Sequence, residues 1–210
     1  MRILRWVLVT NALFALVATV GASQRGGRGG QRGAIFNMTL ISTAWPDGGQ
    51  IPTIYTQAGP EKSPGVQWSG APEATQSFAL IFHDLDTGTG NGLDDILHWL
   101  VWNIPATANA IPPDQPDGFD LPNGLGKQIS VSGSRYRGPG APAAGPYHHY
   151  LMELYALDIM LQVDPAPQAP SGTPGAVNPG VATRASVMQA MAGHIRAKAA
   201  FVGLFRRPVG

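Results

Sequence analysis

Short apolar runs, each closed by glycine or proline and separated by long Gly/Pro-rich connections, decide what this chain can build. Glycine (27) and proline (19) supply 46 of its 210 residues. That is about 22%, nearly double the usual share of roughly 12%. Charged residues reach only 13%, about half the usual quarter. A coiled coil or helical bundle needs charged, proline-poor helices, so both are excluded. Bulk disorder is excluded as well, because a 44% hydrophobic share is enough to build a core. The expectation is a single, mostly β domain with long Gly/Pro loops.

The first 22 residues read as an export address. Arg2 and Arg5 form a basic start, and residues 6–20 are apolar except for Thr10, Asn11 and Thr19. Val20-Gly21-Ala22 is a small-residue cleavage pattern that leaves Ser23 as the new N-terminus. The competing reading, an uncleaved anchor, meets a run short of the ~20 residues a spanning helix needs. Residues 23–33 are an Arg/Gly-rich flexible spacer, since glycine and arginine bury nothing. The body, 34–210, is the β domain. Its nine cations against thirteen acids give a net charge of −4. An acidic body argues against a nucleic-acid surface. The chain has no cysteine, hence no disulfide framework and no lipid-anchor thiol. These features point to a secreted or periplasmic protein with no transmembrane segment after cleavage.

Within the body, Phe36 to Leu40 alternates apolar and polar residues as a half-buried strand does. Asp47-Gly48-Gly49 marks a turn. The runs 77–82 and 97–102 are continuously apolar and suit strands covered on both faces; Pro105 stops the second. A further strand spans 150–157. Connections 106–126, 133–147 and 164–180 are long enough to carry function. One helix is expected to start at Thr183 as N-cap and to end at Gly193. A last strand, with Ile195, Ala197, Ala199 and Phe201 alternating with charge, follows it. Trp68, Trp99 and Trp102 read as core.

Three strand ends carry the chemistry. The run 77–82 exits into His83-Asp84-Leu85-Asp86, the run 97–102 begins beside His98, and His148-His149 precede Tyr150. If the first two strands pair antiparallel and the third pairs antiparallel with the first, Asp84, His98 and His148 share one sheet rim. The loop from Arg135 to Pro146 is stiffened by prolines and opened by glycines. Free N–H groups of Gly138, Gly140 and Ala141 could form an anion-holding concavity there.

The order and spacing of several motifs resemble the phosphatidylethanolamine-binding proteins, in the bacterial branch called Raf kinase inhibitor-like. The resemblance runs from Ile35 to Arg207. It rests on Asp47-Gly48-Gly49-Gln50-Ile51-Pro52, Lys62-Ser63-Pro64 with Trp68, and Asp84-Leu85-Asp86. It continues through His98-Trp99-Leu100-Val101-Trp102-Asn103-Ile104-Pro105, Tyr136-Arg137-Gly138-Pro139 and His148-His149-Tyr150. Thr183-Arg184-Ala185, Gly193-His194 and Phe205-Arg206-Arg207 complete it. What the resemblance implies is a mostly β fold of two packed, antiparallel-rich sheets with one or two peripheral helices, and a small anion pocket at one rim that accepts phosphate-like or carboxylate-like groups, phospholipid headgroups among them. Its ligand-binding residues, carried over by position, are Asp84, Asp86, His98, Tyr136, Gly138, Pro139, His148 and Tyr150. An imidazole there can donate to a phosphate oxygen while Asp84 orients it. The sequence departs from the pattern at Leu85, at Thr87-Gly88, where a cis-proline turn cannot form, and at His149, where bacterial relatives often carry arginine.

The expected function is binding of a small anionic ligand without catalysis, cofactor or metal. One alternative is an inhibitor or partner-binding module, for a kinase or protease, acting through the loops. A second is a metal-dependent hydrolase using His83, Asp84, His98 and His148, although no metal-ligand spacing supports it. The segment 84–95 resembles a calcium loop only faintly, with Thr89 where glycine is required. No nucleophile-elbow or nucleotide-binding glycine motif is present.

Overall fold

A computed structural model of the chain describes residues 36–88 and 95–209. The leader (1–22) and the spacer (23–33) lie outside the described residues. So does half of the calcium-like segment, residues 89–94.

Among the described residues, ten strands form two sheets, accompanied by one α-helix. The chain order is β1 (Phe36–Asn37), β2 (Thr39–Ser42), β3 (Gly49–Gln50), β4 (Val66–Ser69), β5 (Ser77–Gly88), β6 (Asp95–Pro105), β7 (Ala110–Ile111), β8 (Lys127–Ile129), β9 (His148–Leu157), α1 (Pro179–Met191) and β10 (Ile195–Phe205). The large sheet runs β1-β10-β9-β5-β6-β8, with β3 added beside β10; the small one runs β2-β4-β7.

The continuous apolar runs at β5 and β6 are explained by cover on both faces. One face packs Phe78, Leu80, Phe82, Trp99 and Met152 against Leu40, Val66 and Trp68 of the small sheet. The other packs Ala79, Ile81, Leu100 and Trp102 against Val187 and Met191 of α1. On β10, Ala197, Ala199 and Phe201 are buried while Lys198 and Ala200 are exposed, the expected single wet face.

Two expectations need correction. The strand read at 36–40 breaks at Met38, whose N–H bonds to the Lys198 carbonyl (3.0 Å). Residues before it pair with β10 and residues after it cross to β4, so one alternating pattern serves two sheets. The helix starts a turn earlier than Thr183. Asn178 is the N-cap, accepting from Gly180 N (2.8 Å), with Pro179 in the first turn. Thr183 is instead a buried helical residue. Its hydroxyl donates to Pro179 O (2.7 Å) and accepts from Ala166 N (2.9 Å), tying the 164–178 connection to α1. Gly193, at φ +84°, supplies the left-handed residue past the helix end.

Candidate functional site

β5 lies between β6 and β9, antiparallel to both, with Asp84 opposite Ile96 on one side and Tyr150 on the other. His148 enters β9 two residues before Tyr150. The rim expected from strand ends therefore exists, and a cavity of about 180 Å³ opens there, lined by Gln57, Asp84, Thr87, Ile96, His98, Arg137, Gly140, Ala141, Pro142 and His148. Drug-sized sites occupy roughly 300–1,000 Å³, so this volume suits a smaller group.

His98 owes its position to a β-bulge. Phe82 pairs with Trp99 and His83 with Leu97, which leaves His98 as the extra residue of β6. Its backbone carbonyl, unused by the sheet, accepts from Arg137 N (2.9 Å). Its Nδ1 donates to the Arg137 carbonyl (2.9 Å). This reciprocal pair locks the imidazole and leaves Nε2 as the nitrogen without hydrogen in the neutral ring. Burial pushes the His98 pKa down to about 4; the carbonyls of Arg137 and Gly138 and the charge of Asp84 offset only part of that. At neutral pH His98 therefore presents a hydrogen-bond acceptor, not the donor expected from the sequence.

Asp84 is buried and hydrogen-bonded on all sides. It accepts from His148 Nδ1 (2.9 Å), Thr87 Oγ1 (3.1 Å) and Asp86 N (2.9 Å). The Tyr150 hydroxyl also bonds to it, and burial followed by the charge of Asp84 raises the phenol's pKa. Four donors spread the carboxylate's charge. Tyr150 Oη accepts in turn from Gly140 N (3.3 Å) and Ala141 N (3.2 Å). The loop amides expected to hold an anion are thus spent on Tyr150, and Gly138 N is spent on Glu61 Oε1 (3.1 Å).

The cation of the site is Arg137. Its Nη1 donates to Ser132 Oγ (2.5 Å), and its buried Nε has no partner. Among the described residues no carboxylate forms an ion pair with it. Sequence reasoning quoted Arg137 within a motif but did not choose it. A loop arginine reads as solvated, and only the exchange with His98 ties it to the cavity. Gln57 and Thr87 were missed for the same reason.

The remaining expected residues have other placements. Tyr136 lies beneath the cavity, stacked on Phe82 (6.1 Å between ring centroids), with its hydroxyl donating to Tyr55 O (2.8 Å). Gly138 and Pro139 brace the wall: their carbonyls accept from Gln57 Nε2 (2.7 Å) and Gln57 N (2.9 Å). A Cβ on Gly138 would come within 2.7 Å of Thr56 Cα, so the approach requires glycine. Asp86 is exposed on the outer side. It accepts from the N (2.5 Å) and Nδ1 (2.9 Å) of His149 and does not line the cavity. The irregular register between Asp84 and Gly88 is the cause, since it breaks the alternation that would place both aspartates on one face.

The metal reading fails on geometry. His83 is buried away from the cavity, with Nδ1 on Asp95 and Nε2 3.3 Å from Glu153 Oε2. Among the described residues no group of three His, Cys, Asp or Glu side chains is placed to hold a metal.

Comparison with known proteins agrees with this architecture. The family model described as phosphatidylethanolamine-binding protein matches residues 41–206. A UPF0098 protein of Methanothermobacter thermautotrophicus is 34% identical over 171 residues, covering 81% of this chain and 99% of that protein. The UPF0098 protein YbcL of Escherichia coli is 40% identical over 102 residues, covering 47% of this chain and 54% of that protein. The crystal structure of E. coli YbcL, described as a new member of the mammalian PEBP family, superposes with a TM-score of 0.63 at 27% identity. It covers 81% of this chain and 99% of YbcL. The structure of CT736 from Chlamydia trachomatis, at 24% identity, shares the fold with a TM-score of 0.63 over 81% of this chain and 98% of that one. The chain belongs to the phosphatidylethanolamine-binding protein family, in the bacterial Raf kinase inhibitor-like branch that includes YbcL and YbhB.

Proposed function

We propose that the protein binds a small protonated oxyanion in the rim cavity: phosphate or a phosphomonoester, including a phosphoethanolamine-type headgroup. The observation that carries this reading is the pairing of two groups on one small cavity. Arg137 brings a guanidinium without a carboxylate partner, and His98 brings an imidazole held neutral by burial. The guanidinium suits the anion's charge and its fork of oxygens. The neutral Nε2 accepts from the P–OH of a hydrogen-bearing phosphate. Asp84 does not repel the ligand outright, because its four donors already neutralise much of its field.

Binding rather than turnover is supported by the clamp at His148. A hydroxyl nucleophile needs a base on one ring nitrogen and an orienting carboxylate on the other. Here Thr87 Oγ1 (3.1 Å) and Asp84 both meet the same nitrogen, Nδ1, and Thr87 donates to Asp84. That arrangement fixes the ring and sets no base to take the proton of Thr87, whose hydroxyl is turned to Asp84.

Export belongs to the same proposal. Among the described residues no helix is long and apolar enough to cross a membrane, and residues 1–22 carry the pattern of a cleaved leader. N-terminal sequencing of protein recovered from the periplasm or medium should read Ser23; a start at Met1 in the membrane fraction would replace export with tethering. The binding reading is tested by native mass spectrometry of that protein. An anionic phosphorus-containing ligand should accompany the wild type and be lost from His98→Ala. A neutral or cationic ligand, or one retained by the variant, would overturn it.

A further inference from the structure

A second, roomier cavity lies apart from the rim cavity. It measures about 520 Å³ and opens where β10 ends beside β3 and the turn at Gly145–Tyr147. Its accessible apolar surface comes from Leu204, Pro208 and Val209, and its charge from Arg206 and Arg207.

Both arginines are held by neutral acceptors. The Arg206 guanidinium lies over the Tyr147 ring, 4.8 Å from its centroid, and Nη1 donates to Gly145 O (3.0 Å). Arg207 Nη2 donates to Gln57 Oε1 (3.3 Å), and its backbone N–H donates to Ala141 O (3.2 Å). Elsewhere on the same molecule arginines sit on acids, Arg184 on Asp95 and Arg196 on Asp158. Among the described residues no carboxylate pairs with Arg206 or Arg207. A carbonyl or an amide oxygen orients a guanidinium without neutralising it, so most of the N–H donors of both residues stay free. A fork of this kind matches the paired oxygens of a carboxylate or phosphate.

We propose that this cavity is a second ligand site, distinct from the rim cavity, and that it takes an organic anion with an apolar body. Its volume falls within the roughly 300–1,000 Å³ of small-molecule sites, which is more room than an inorganic ion fills. Apolar surface at Leu204, Pro208 and Val209 is covered when the body of the ligand lies on it, while the anionic end meets the arginines. Tyr147, 37% exposed, adds an aromatic edge. The shared chemistry is an anionic end on an apolar or aromatic body; a carboxylate and a phosphate monoester are its two sources.

Calorimetry on the purified protein tests this with three probes: N-acetylphenylalaninate, phenyl phosphate, and N-acetylphenylalanine amide as the neutral control. At least one anionic probe should bind the wild type, and whichever binds more tightly identifies the source. The neutral amide should not bind. Affinity should fall by about tenfold or more in the double variant Arg206→Gln/Arg207→Gln, as expected for losing charge-assisted hydrogen bonds. The Arg206→Lys/Arg207→Lys variant should recover part of it, which separates lost charge from misfolding. His98→Ala, in the other cavity, should leave affinity for the carboxylate probe within about twofold, under 0.5 kcal/mol. The proposal is overturned if neither anion binds, if the amide binds equally, or if affinity is insensitive to the arginines and lost with His98.

Discussion

Asp84 Oδ2 and His148 Nδ1 stand 2.9 Å apart across the rim of the large sheet, joined although 64 residues separate them in the chain. This bond links β5 to the start of β9, and it is one of four that converge on the same carboxylate. Asp84→Ala leaves the Tyr150 hydroxyl, Thr87 and His148 without their shared partner. Unpaired buried polar groups cost about 1–3 kcal/mol. Denaturant unfolding of Asp84→Ala should show a loss of that size, and Asp84→Asn, which keeps an acceptor oxygen, a smaller one.

Ligand binding should depend on pH through the ligand's proton rather than that of His98. The imidazole takes up its proton only near pH 4, whereas a phosphomonoester dianion takes up a proton near pH 6. Affinity for phosphoethanolamine, measured by calorimetry, should therefore rise as pH falls from about 8 to about 6, following the ligand's titration. In His98→Ala this pH dependence should flatten. Affinity that rises with pH would contradict the assignment of Nε2 as acceptor.

A charged cluster on the far face of the same strands predicts a pH-dependent stability. Burial opposes charge on His83, but its hydrogen bonds to the Asp95 and Glu153 carboxylates outweigh it and raise its pKa above 6.5; Arg184 opposes the rise. Asp95 is drawn down to about 2, because His83 and Arg184 outweigh the burial that would raise it. The Glu153 carboxyl is lowered by His83, then by Tyr155 and Lys198. The His83 contribution is fully present below pH 6.5 and is lost as pH rises through the higher folded value. The Asp95 contribution holds above 3.8 and is lost as pH falls through about 2. The melting-temperature difference between wild type and His83→Gln should therefore be widest between about pH 4 and 6.5 and should shrink above that window. A few degrees is the expected size, at roughly 2–4 °C per kcal/mol for a chain of this length. The depressed pKa of His98 acts equally in both proteins and cancels in the difference.

Gly138→Ala tests the wall of the rim cavity. The added Cβ would meet backbone atoms, at 2.7 Å from Thr56 Cα and 2.8 Å from the Tyr55 carbonyl oxygen. Overpacking of this kind costs about 1–3 kcal/mol. Since Gly138 follows Arg137, the variant should lose both melting temperature and phosphoethanolamine affinity. Wild-type values for both would show that the loop has room the structure does not give it.

How much the sequence discloses depends on whether a feature is local. The convergence of Asp84, His98 and His148 follows from three apolar runs of strand length and one pairing hypothesis, because antiparallel neighbours bring alternate ends to one rim. The bulge at His98 does not follow. An extra residue in a strand leaves no mark in an apolar run, yet it frees the carbonyl that captures Arg137. Asp86 shows the same blindness from the other side: strict alternation places it with Asp84, and the irregular register turns it out to His149. At α1 the signal was present in Asn178-Pro179, but it lies within a Gly/Pro-rich stretch that reads as loop. Thr183, a good cap by composition, bonds from inside the helix instead.

The most direct test of the account is titration of phosphoethanolamine into wild type and Arg137→Gln at pH 6, followed by calorimetry. The guanidinium is the charge that makes the rim cavity an anion site, and it has no carboxylate to release. The account predicts saturable binding to the wild type and a loss of about tenfold or more in Arg137→Gln, in line with a charge-assisted pair, with folding unchanged by circular dichroism. Equal affinity in the two proteins, or no binding to the wild type, would contradict it.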